Sequence, residues 1–153
     1  MQAPDPDSRA WIESLTGDDE RERLRAQGRL QRLVARAARR ELKRRGDADA
    51  AELADEAVEQ AGGRLLESLA DYSGTSRFTL WAARFPVAEL ARRSGARGPA
   101  CDECLDRLDE HVEIELVGGD PDGALPLLAR HLDGCDACAQ ARAGLFEFAL
   151  RSG

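Results

Sequence analysis

Five residues near the C-terminal end combine the types and the spacing that a metal ion requires. Cys101 and Cys104 form a Cys-x-x-Cys pair, and after 26 further residues His131, Cys135 and Cys138 form a His-x-x-x-Cys-x-x-Cys cluster. Zinc prefers four nitrogen or sulfur ligands in a tetrahedron, and each short spacing presents two ligands from one turn of chain. All four cysteines of the chain lie in this window. The pattern predicts a structural zinc site.

The five candidates exceed the four positions of a tetrahedral ion, so one of them is spare. We favour His131, Cys101, Cys135 and Cys138 as the ligands, which leaves Cys104 free; two facing Cys-x-x-Cys pairs, which would exclude His131, remain the alternative. A redox-labile thiol cluster that also binds zinc and a pair of disulfides are the other interpretations. No apolar signal segment follows the first Met, so we expect a cytoplasmic, reducing location.

Several function classes find no support in the sequence. No run approaches the roughly 18 apolar residues that a membrane span needs, so we expect no membrane partner. There is no Gly-rich phosphate loop and no Ser nucleophile in a recognisable turn, and both histidines lie in the zinc segment. We therefore expect neither an enzyme nor a small-molecule substrate. His111 is interpreted as a partly exposed helix residue and not as a ligand.

The elements that position these residues are predicted to be helices throughout, which makes the fold class all-α. Ala, Leu, Arg and Glu dominate, and apolar residues recur at intervals of three and four. We expect helices over about 19–45, 49–70, from 76 onward, 101–116, 123–132 and 135–150. Phe78, Trp81 and Phe85 share one stripe of the third helix and should form the aromatic part of the core. Pro86 is expected to bend or interrupt that helix.

The charge distribution suggests two domains. Residues 101–153 contain four Arg and twelve acidic residues, whereas residues 1–100 contain eighteen basic and seventeen acidic residues. We place one helical domain at 10–94, a Gly- and Pro-containing linker at 95–100 and a zinc-stapled three-helix domain at 101–153. Eleven of the basic residues lie between Arg21 and Arg45. We hypothesise that the acidic C-terminal part folds back on this basic stretch.

The C-terminal segment resembles a known family of bacterial regulators. The sequences Cys101-Asp-Glu-Cys104, Val112-Glu-Ile-Glu-Leu116 and His131-Leu-Asp-Gly-Cys135-Asp-Ala-Cys138 are similar to the zinc-binding anti-sigma domain, which is found especially in actinobacteria. The resemblance covers about fifty residues. It implies a compact helical domain that holds zinc and binds a sigma factor. Some members of the family release the sigma factor when their thiols oxidise.

The first hundred residues resemble region 2 of an extracytoplasmic-function sigma factor. The resemblance rests on Asp47-Ala-Asp-Ala-Ala-Glu52-Leu-Ala-Asp55-Glu56-Ala-Val58, on Tyr72-Ser-Gly74 and on Phe78-Thr-Leu-Trp81. It implies that an acidic helix docks on the clamp of the largest subunit of RNA polymerase. The implied polymerase-binding residues are Asp49, Glu52, Asp55, Glu56 and Glu59. The implied contacts with the promoter −10 element are Arg77, Trp81, Arg84, Arg92 and Arg93, although Phe78 and Trp81 at helical spacing also fit core positions.

The chain departs from an ordinary sigma factor after residue 97, where the zinc segment replaces the helix-turn-helix that would read the −35 element. We therefore expect a regulator of transcription initiation that binds core RNA polymerase and whose zinc domain modulates that binding. The promoter −10 element is a further candidate partner. The alternative is an anti-sigma factor or adaptor whose zinc domain binds a separate sigma factor.

Overall fold

The chain is all-α in the part that the computed structural model describes, residues 5–46 and 51–152. The α-helices are α1 Pro6–Thr16, α2 Glu20–Arg44, α3 Ala51–Glu67, α4 Phe78–Arg93, α5 Pro99–Asp106, α6 Leu108–Leu116, α7 Pro121–Ala124, α8 Pro126–Gly134 and α9 Asp136–Ser152, with a 3₁₀ turn at Leu69–Asp71. The predicted second helix begins at Asp49, which lies outside the described residues.

Helix α1 was not among the predicted helices, although its start carries clear local signals. Asp5 is the N-cap and accepts hydrogen bonds from the backbone N–H of Ser8 at 3.0 Å and from its hydroxyl at 2.6 Å. Pro6 occupies the first helical position, where its missing N–H has no intrahelical partner to lose. The Ser8 hydroxyl is also 2.7 Å from the backbone N–H of Phe78, which donates to it. Ser8 therefore joins the start of α1 to the start of α4.

Helix α4 is the centre of the packing, and Pro86 does not interrupt it. Of the expected bend or interruption, the interruption is absent, because α4 continues for seven residues beyond Pro86, to Arg93. The proline removes one backbone donor, but its ring is fully buried, and α4 packs against α1, α2, α3, α5, α6 and α9 on its different sides. Tertiary packing thus holds the helix through a residue that would break an isolated one. The predicted aromatic stripe is confirmed as core, because Phe78, Trp81 and Phe85 are all buried.

The predicted helix over 101–116 is two helices, because the chain bends at Arg107, which ends α5 and precedes α6. Gly118 follows α6 with a φ of 84°, a left-handed conformation that glycine adopts without a Cβ clash. Gly134 is the last residue of α8. These bends bring α5, α8 and α9 together at one end of the segment.

One cluster of buried residues continues across the predicted linker. It contains Leu15 of α1, Leu33 of α2 and Phe78 of α4 together with Leu105 of α5 and Leu145 of α9. Residues 94–98 separate α4 from α5, which already begins at Pro99. The division into separately folding domains stays a prediction, but the two segments share a core. Within the described ranges, no helix is long and apolar enough to cross a membrane.

Candidate metal centre and charged surfaces

The metal-ligand candidates converge at the junction of α5, α8 and α9. Cys101 lies on α5, His131 on the last turns of α8, Cys135 in the connection between α8 and α9, and Cys138 on the first turn of α9. One potential ligand atom from each of these four residues lies within 4.8 Å of the others. Cys104 is outside this group, as the favoured assignment predicted, and its side chain is buried.

The distances and the hydrogen bonding of the four residues fit a metal ion better than a disulfide. The sulfurs of Cys101 and Cys135 are 3.8 Å apart, and all four cysteines are free. A disulfide needs about 2.0 Å, whereas two sulfurs on a tetrahedral ion with metal–sulfur bonds of about 2.3 Å are about 3.8 Å apart. The Nε2 atom of His131 is buried and has no hydrogen-bond partner among the residues that the structure describes. An unsatisfied imidazole nitrogen beside three thiols is what a metal ion would satisfy.

The local electrostatics distinguish the thiols from one another. The backbone N–H of Cys138 donates to the Cys135 sulfur and lowers the pKa of that thiol. Burial raises the pKa of Cys138, and it raises the pKa of Cys104 to about 11. A bound cation would deprotonate the thiols that coordinate it. Cys104 lies outside the four-residue group and stays a neutral thiol at physiological pH.

The acidic residues of α3 form an exposed surface. Glu52, Asp55, Glu56 and Glu59 are all exposed, whereas the predicted polymerase-binding residue Asp49 is outside the described residues. Glu56 pairs with Arg93 at 2.8 Å. The other three carboxylates form no ion pair with any described residue. We call Glu52, Asp55 and Glu59 the α3 acidic face.

The predicted DNA-binding arginines of α4 are occupied by carboxylates, mostly from the C-terminal segment. Arg77 donates to Glu113 from Nε at 2.9 Å, from Nη2 at 2.6 Å and from its backbone N–H at 2.8 Å. Arg92 lies 3.2 Å from Asp102. Arg93 pairs with Glu56 and, at 3.4 Å, with Glu89. The fold brings these arginines together at the start of α4 and along it, but each of them already forms an ion pair with a carboxylate of the same chain.

Arg84 forms the most deeply buried of these pairs. Its Nε lies 3.1 Å from a carboxylate oxygen of Asp109, and Ser76 donates to the other oxygen at 2.5 Å. The Nε–H of Arg84 is not aligned for a hydrogen bond, so this contact acts mainly through charge. Burial raises the pKa of Asp109, and the neighbouring Arg84 opposes that rise. This pair joins α4 to α6 inside the core.

Trp81 lies within an aromatic cluster. It is 7% exposed, and its ring centroid lies 5.1 Å from that of Tyr72, 5.6 Å from Phe78 and 5.0 Å from Phe85. Trp81 is therefore a core residue in this conformation, and its ring has no open face for a nucleic-acid base.

His111 is more buried than expected. The expectation of a partly exposed residue was wrong, because only 4% of it is exposed. Arg142 donates to its Nδ1 at 3.2 Å, so Nε2 carries the proton and faces Asp122 at 3.1 Å. Burial lowers the pKa of His111 and keeps the ring neutral. The ring is absent from the metal-ligand group, which agrees with the prediction that it is not a ligand.

Glu41 and Gly144 were missed by the sequence reasoning. The side chain of Glu41 on α2 is 1% exposed and pairs with Arg44 at 2.5 Å and with Arg45 at 2.8 Å. Gly144 on α9 lies so close that a Cβ atom there would overlap the Glu41 carboxylate. The Arg44 guanidinium donates to the backbone carbonyl of Gln140 at 2.6 Å, which fastens α2 to α9. A lone glutamate in an Arg-rich stretch gives no sequence signal for such a contact.

No family model matches the chain, and neither the curated proteins nor the solved structures give a significant match.

Proposed function

We propose that this protein regulates bacterial transcription initiation, with the α3 acidic face binding core RNA polymerase and a zinc-held C-terminal segment covering the side of α4 that would approach promoter DNA. The observation that carries this proposal is the contrast between two charged surfaces. Three acidic residues of α3 are exposed and form no ion pair with a described residue, whereas the arginines at the start of α4 and along it are paired with carboxylates. The resemblance to sigma region 2 supplies the identity of the partner.

Zinc is the metal that the donor set favours. Three thiols and one imidazole suit a tetrahedral ion, and hard cations such as magnesium and calcium prefer oxygen ligands. The four residues occupy α5, α8, α9 and the connection before α9, so one ion would join all three helices. Two of these helices are short, with 8 residues in α5 and 9 in α8, and a closed four-ligand site would stabilise their arrangement against α9.

The C-terminal segment docks on α4 through ion pairs between particular residues. Glu113 engages Arg77 through both carboxylate oxygens, and Asp102 on α5 engages Arg92. A carboxylate on each arginine competes with a phosphate for the same donors. The C-terminal segment would therefore lower the affinity of α4 for DNA while it remains docked. This arrangement supports regulation within one chain and gives the zinc segment a role that does not need a second sigma factor.

The α3 acidic face suits a basic partner surface. Asp55 and Glu59 are four residues apart and lie on the same side of the helix. Their side chains are exposed and free of intramolecular ion pairs with described residues. Complementary charge speeds association and orients the partner. The clamp of the polymerase would meet this face without displacing any described contact.

Retention of the protein by immobilised core RNA polymerase tests the proposal. The variant Asp55→Lys/Glu59→Lys reverses two charges of the α3 acidic face and should abolish retention. The matched control Glu67→Lys/Glu103→Lys makes the same charge change at two other exposed residues and should bind like the unmodified protein. Equal retention of both variants, or retention only on an immobilised sigma factor, would contradict the proposal. The latter result would favour an anti-sigma factor or adaptor.

A further inference from the structure

A row of cations runs along the exposed side of α2. It consists of Arg25, Arg29, Arg32, Arg36, Arg39 and Lys43, which we call the α2 stripe. The intervals alternate between four and three residues, so the six side chains fall within a sector of roughly 80° at 100° per residue. Eighteen residues at about 1.5 Å each give the stripe a length of about 27 Å.

The fold leaves these charges unneutralised. All six side chains are exposed, and none forms an ion pair with a described residue. Arg29 and Arg36 lie over the rings of Trp11 and Phe148, with 5.4 Å and 6.0 Å between guanidinium carbon and ring centroid, which orients them while leaving them exposed. This absence of pairing is notable in a chain with 29 acidic and 22 basic residues. Like charges three and four residues apart also destabilise a helix, so the row opposes folding unless something else favours it.

The acidic C-terminal segment does fold back on the basic stretch of α2, as hypothesised, because α9 packs against α2. None of its described carboxylates forms an ion pair with a member of the α2 stripe. Its contacts with α2 are made by Gln140, which accepts from Arg44, by the close approach of Gly144, and by the ring of Phe148, which lies under Arg36. Its carboxylates pair instead with arginines of α4. The stripe therefore remains open to an external partner.

The chemistry of the stripe fits a phosphate backbone. Five of its six members are arginine, whose planar guanidinium binds phosphate through two parallel hydrogen bonds. A length of about 27 Å matches about eight base pairs of duplex at about 3.4 Å each. A protein partner would require apolar or aromatic anchors, but the one large exposed apolar residue that the structure describes on α2, Leu24, lies outside the sector.

The stripe also faces away from the α3 acidic face. Leu30 and Val34 line the groove between α2 and α3 together with Val58 and Leu65. At 100° per residue, Leu30 and Val34 are on the side of α2 roughly opposite to Arg25 and Lys43. A polyanion on the stripe would therefore avoid the carboxylates of α3. Both surfaces can be occupied at once.

We propose that the α2 stripe binds the phosphate backbone of duplex DNA without sequence preference. Phosphate contacts position a protein on DNA and carry no sequence information themselves. This inference goes beyond the proposed binding of polymerase, and it uses a helix other than the α4 arginines that the sigma resemblance implied. It is tested without polymerase, so its failure would leave the proposed function standing.

Fluorescence anisotropy of the zinc-loaded full chain with a labelled mixed-sequence duplex of about 20 base pairs tests the proposal from about 50 to 200 mM salt. The variant Arg25→Gln/Arg32→Gln/Arg39→Gln removes three members of the stripe that have no described side-chain partner. The control Arg64→Gln/Arg97→Gln/Arg130→Gln removes three other exposed arginines. Either triple substitution changes the formal net charge from −7 to −10, since −7 − 3 = −10. Lysine at the three stripe positions restores the charge and should restore most of the binding.

The expected result is salt-sensitive binding with a slope of log K against log salt of up to about −5, from about −0.9 for each of six phosphates. The stripe variant should reduce the magnitude of that slope by about 3 and weaken binding on the order of 100-fold at 0.1 M salt. The control should remain within about threefold of the unmodified protein. Absence of duplex binding at the lowest salt, equal losses in both variants, displacement by polyglutamate as efficient as by unlabelled duplex, or binding to single-stranded RNA alone would overturn the proposal.

Discussion

Replacing Glu113 by Gln removes the negative charge that joins α6 to the start of α4. The carboxylate accepts three hydrogen bonds from Arg77, at 2.6, 2.8 and 2.9 Å. A hydrogen bond with a charged partner contributes about 1 kcal/mol more than a neutral one, which sets an upper limit near 3 kcal/mol for three. The Arg77 side chain is 37% exposed, so solvent screening reduces that limit to about 2 kcal/mol. For a chain of this size, the Tm should fall by about 4–8 °C.

The pH dependence gives this prediction a second signature. Burial acts to raise the pKa of Glu113, but the hydrogen bonds and charge of Arg77 outweigh it and hold the pKa below the usual 4.5. A carboxyl whose pKa is depressed in the folded state contributes its full stability above the unfolded value and loses it as the pH falls through the folded value. The difference in unfolding free energy between the unmodified protein and Glu113→Gln should therefore be constant above about pH 5 and shrink below pH 4.5.

Urea unfolding followed by circular dichroism, repeated across this pH range, measures both effects. Glu110→Gln is the matched control, because Glu110 lies on the same helix and pairs with Arg107, whose side chain is 54% exposed. We expect a loss of at most about 0.5 kcal/mol there. The stabilising charge of Glu113 would be disproved by a loss of unfolding free energy no larger than that of Glu110→Gln. It would also be disproved if the difference between the unmodified protein and Glu113→Gln did not change with pH down to 3.

Two further predictions concern the metal group and the contact between α2 and α9. Cys138→Ser should lose stoichiometric zinc and reduce the helicity of the chain, whereas Cys104→Ser should retain the metal; metal analysis after dialysis and circular dichroism distinguish them, and loss of zinc from both variants would be the contrary result. Gly144→Ala should destabilise the protein by about 1–3 kcal/mol because a Cβ atom overlaps Glu41, whereas Gly62→Ala, in open space on α3, should stabilise it by up to about 1 kcal/mol. Equal urea midpoints for the two glycine variants would contradict the close approach.

The helices and the metal group were predictable because their signals are local. Residues 20–44 show apolar positions at intervals of three and four together with an Asp cap at Asp19, and the predicted bounds differ from those of α2 by one residue at each end. The favoured metal ligands are the four that converge, since Cys-x-x-Cys and His-x-x-x-Cys spacings place their members within one turn of each other. The bend at Arg107 and the persistence of α4 through Pro86 depend on packing with distant elements. No local pattern contains that information.

The ion pairs between the two parts of the chain could not be predicted from composition. Composition indicated that an acidic C-terminal part would meet the basic stretch of α2, because both carry an excess of one charge. The two parts do meet where α9 packs on α2, but Glu113, Asp109 and Asp102 form their ion pairs with Arg77, Arg84 and Arg92, at and along α4. Net charge describes long-range attraction, whereas ion pairs need a particular separation and direction. The sequence shows the excess of basic residues on α2, but only the three-dimensional structure shows that the α2 stripe forms no ion pair with a described residue.

The proposed zinc site consists of Cys101, His131, Cys135 and Cys138, with Cys104 outside it. X-ray absorption spectroscopy of the purified chain, combined with metal analysis, tests it directly because sulfur and nitrogen ligands differ in bond length. With these ligands we expect one zinc per chain, three sulfur ligands at about 2.3 Å and one nitrogen ligand at about 2.0 Å. Four sulfur ligands would place Cys104 in the site and His131 outside it. That result, or a chain without stoichiometric metal, would contradict the proposed ligand set.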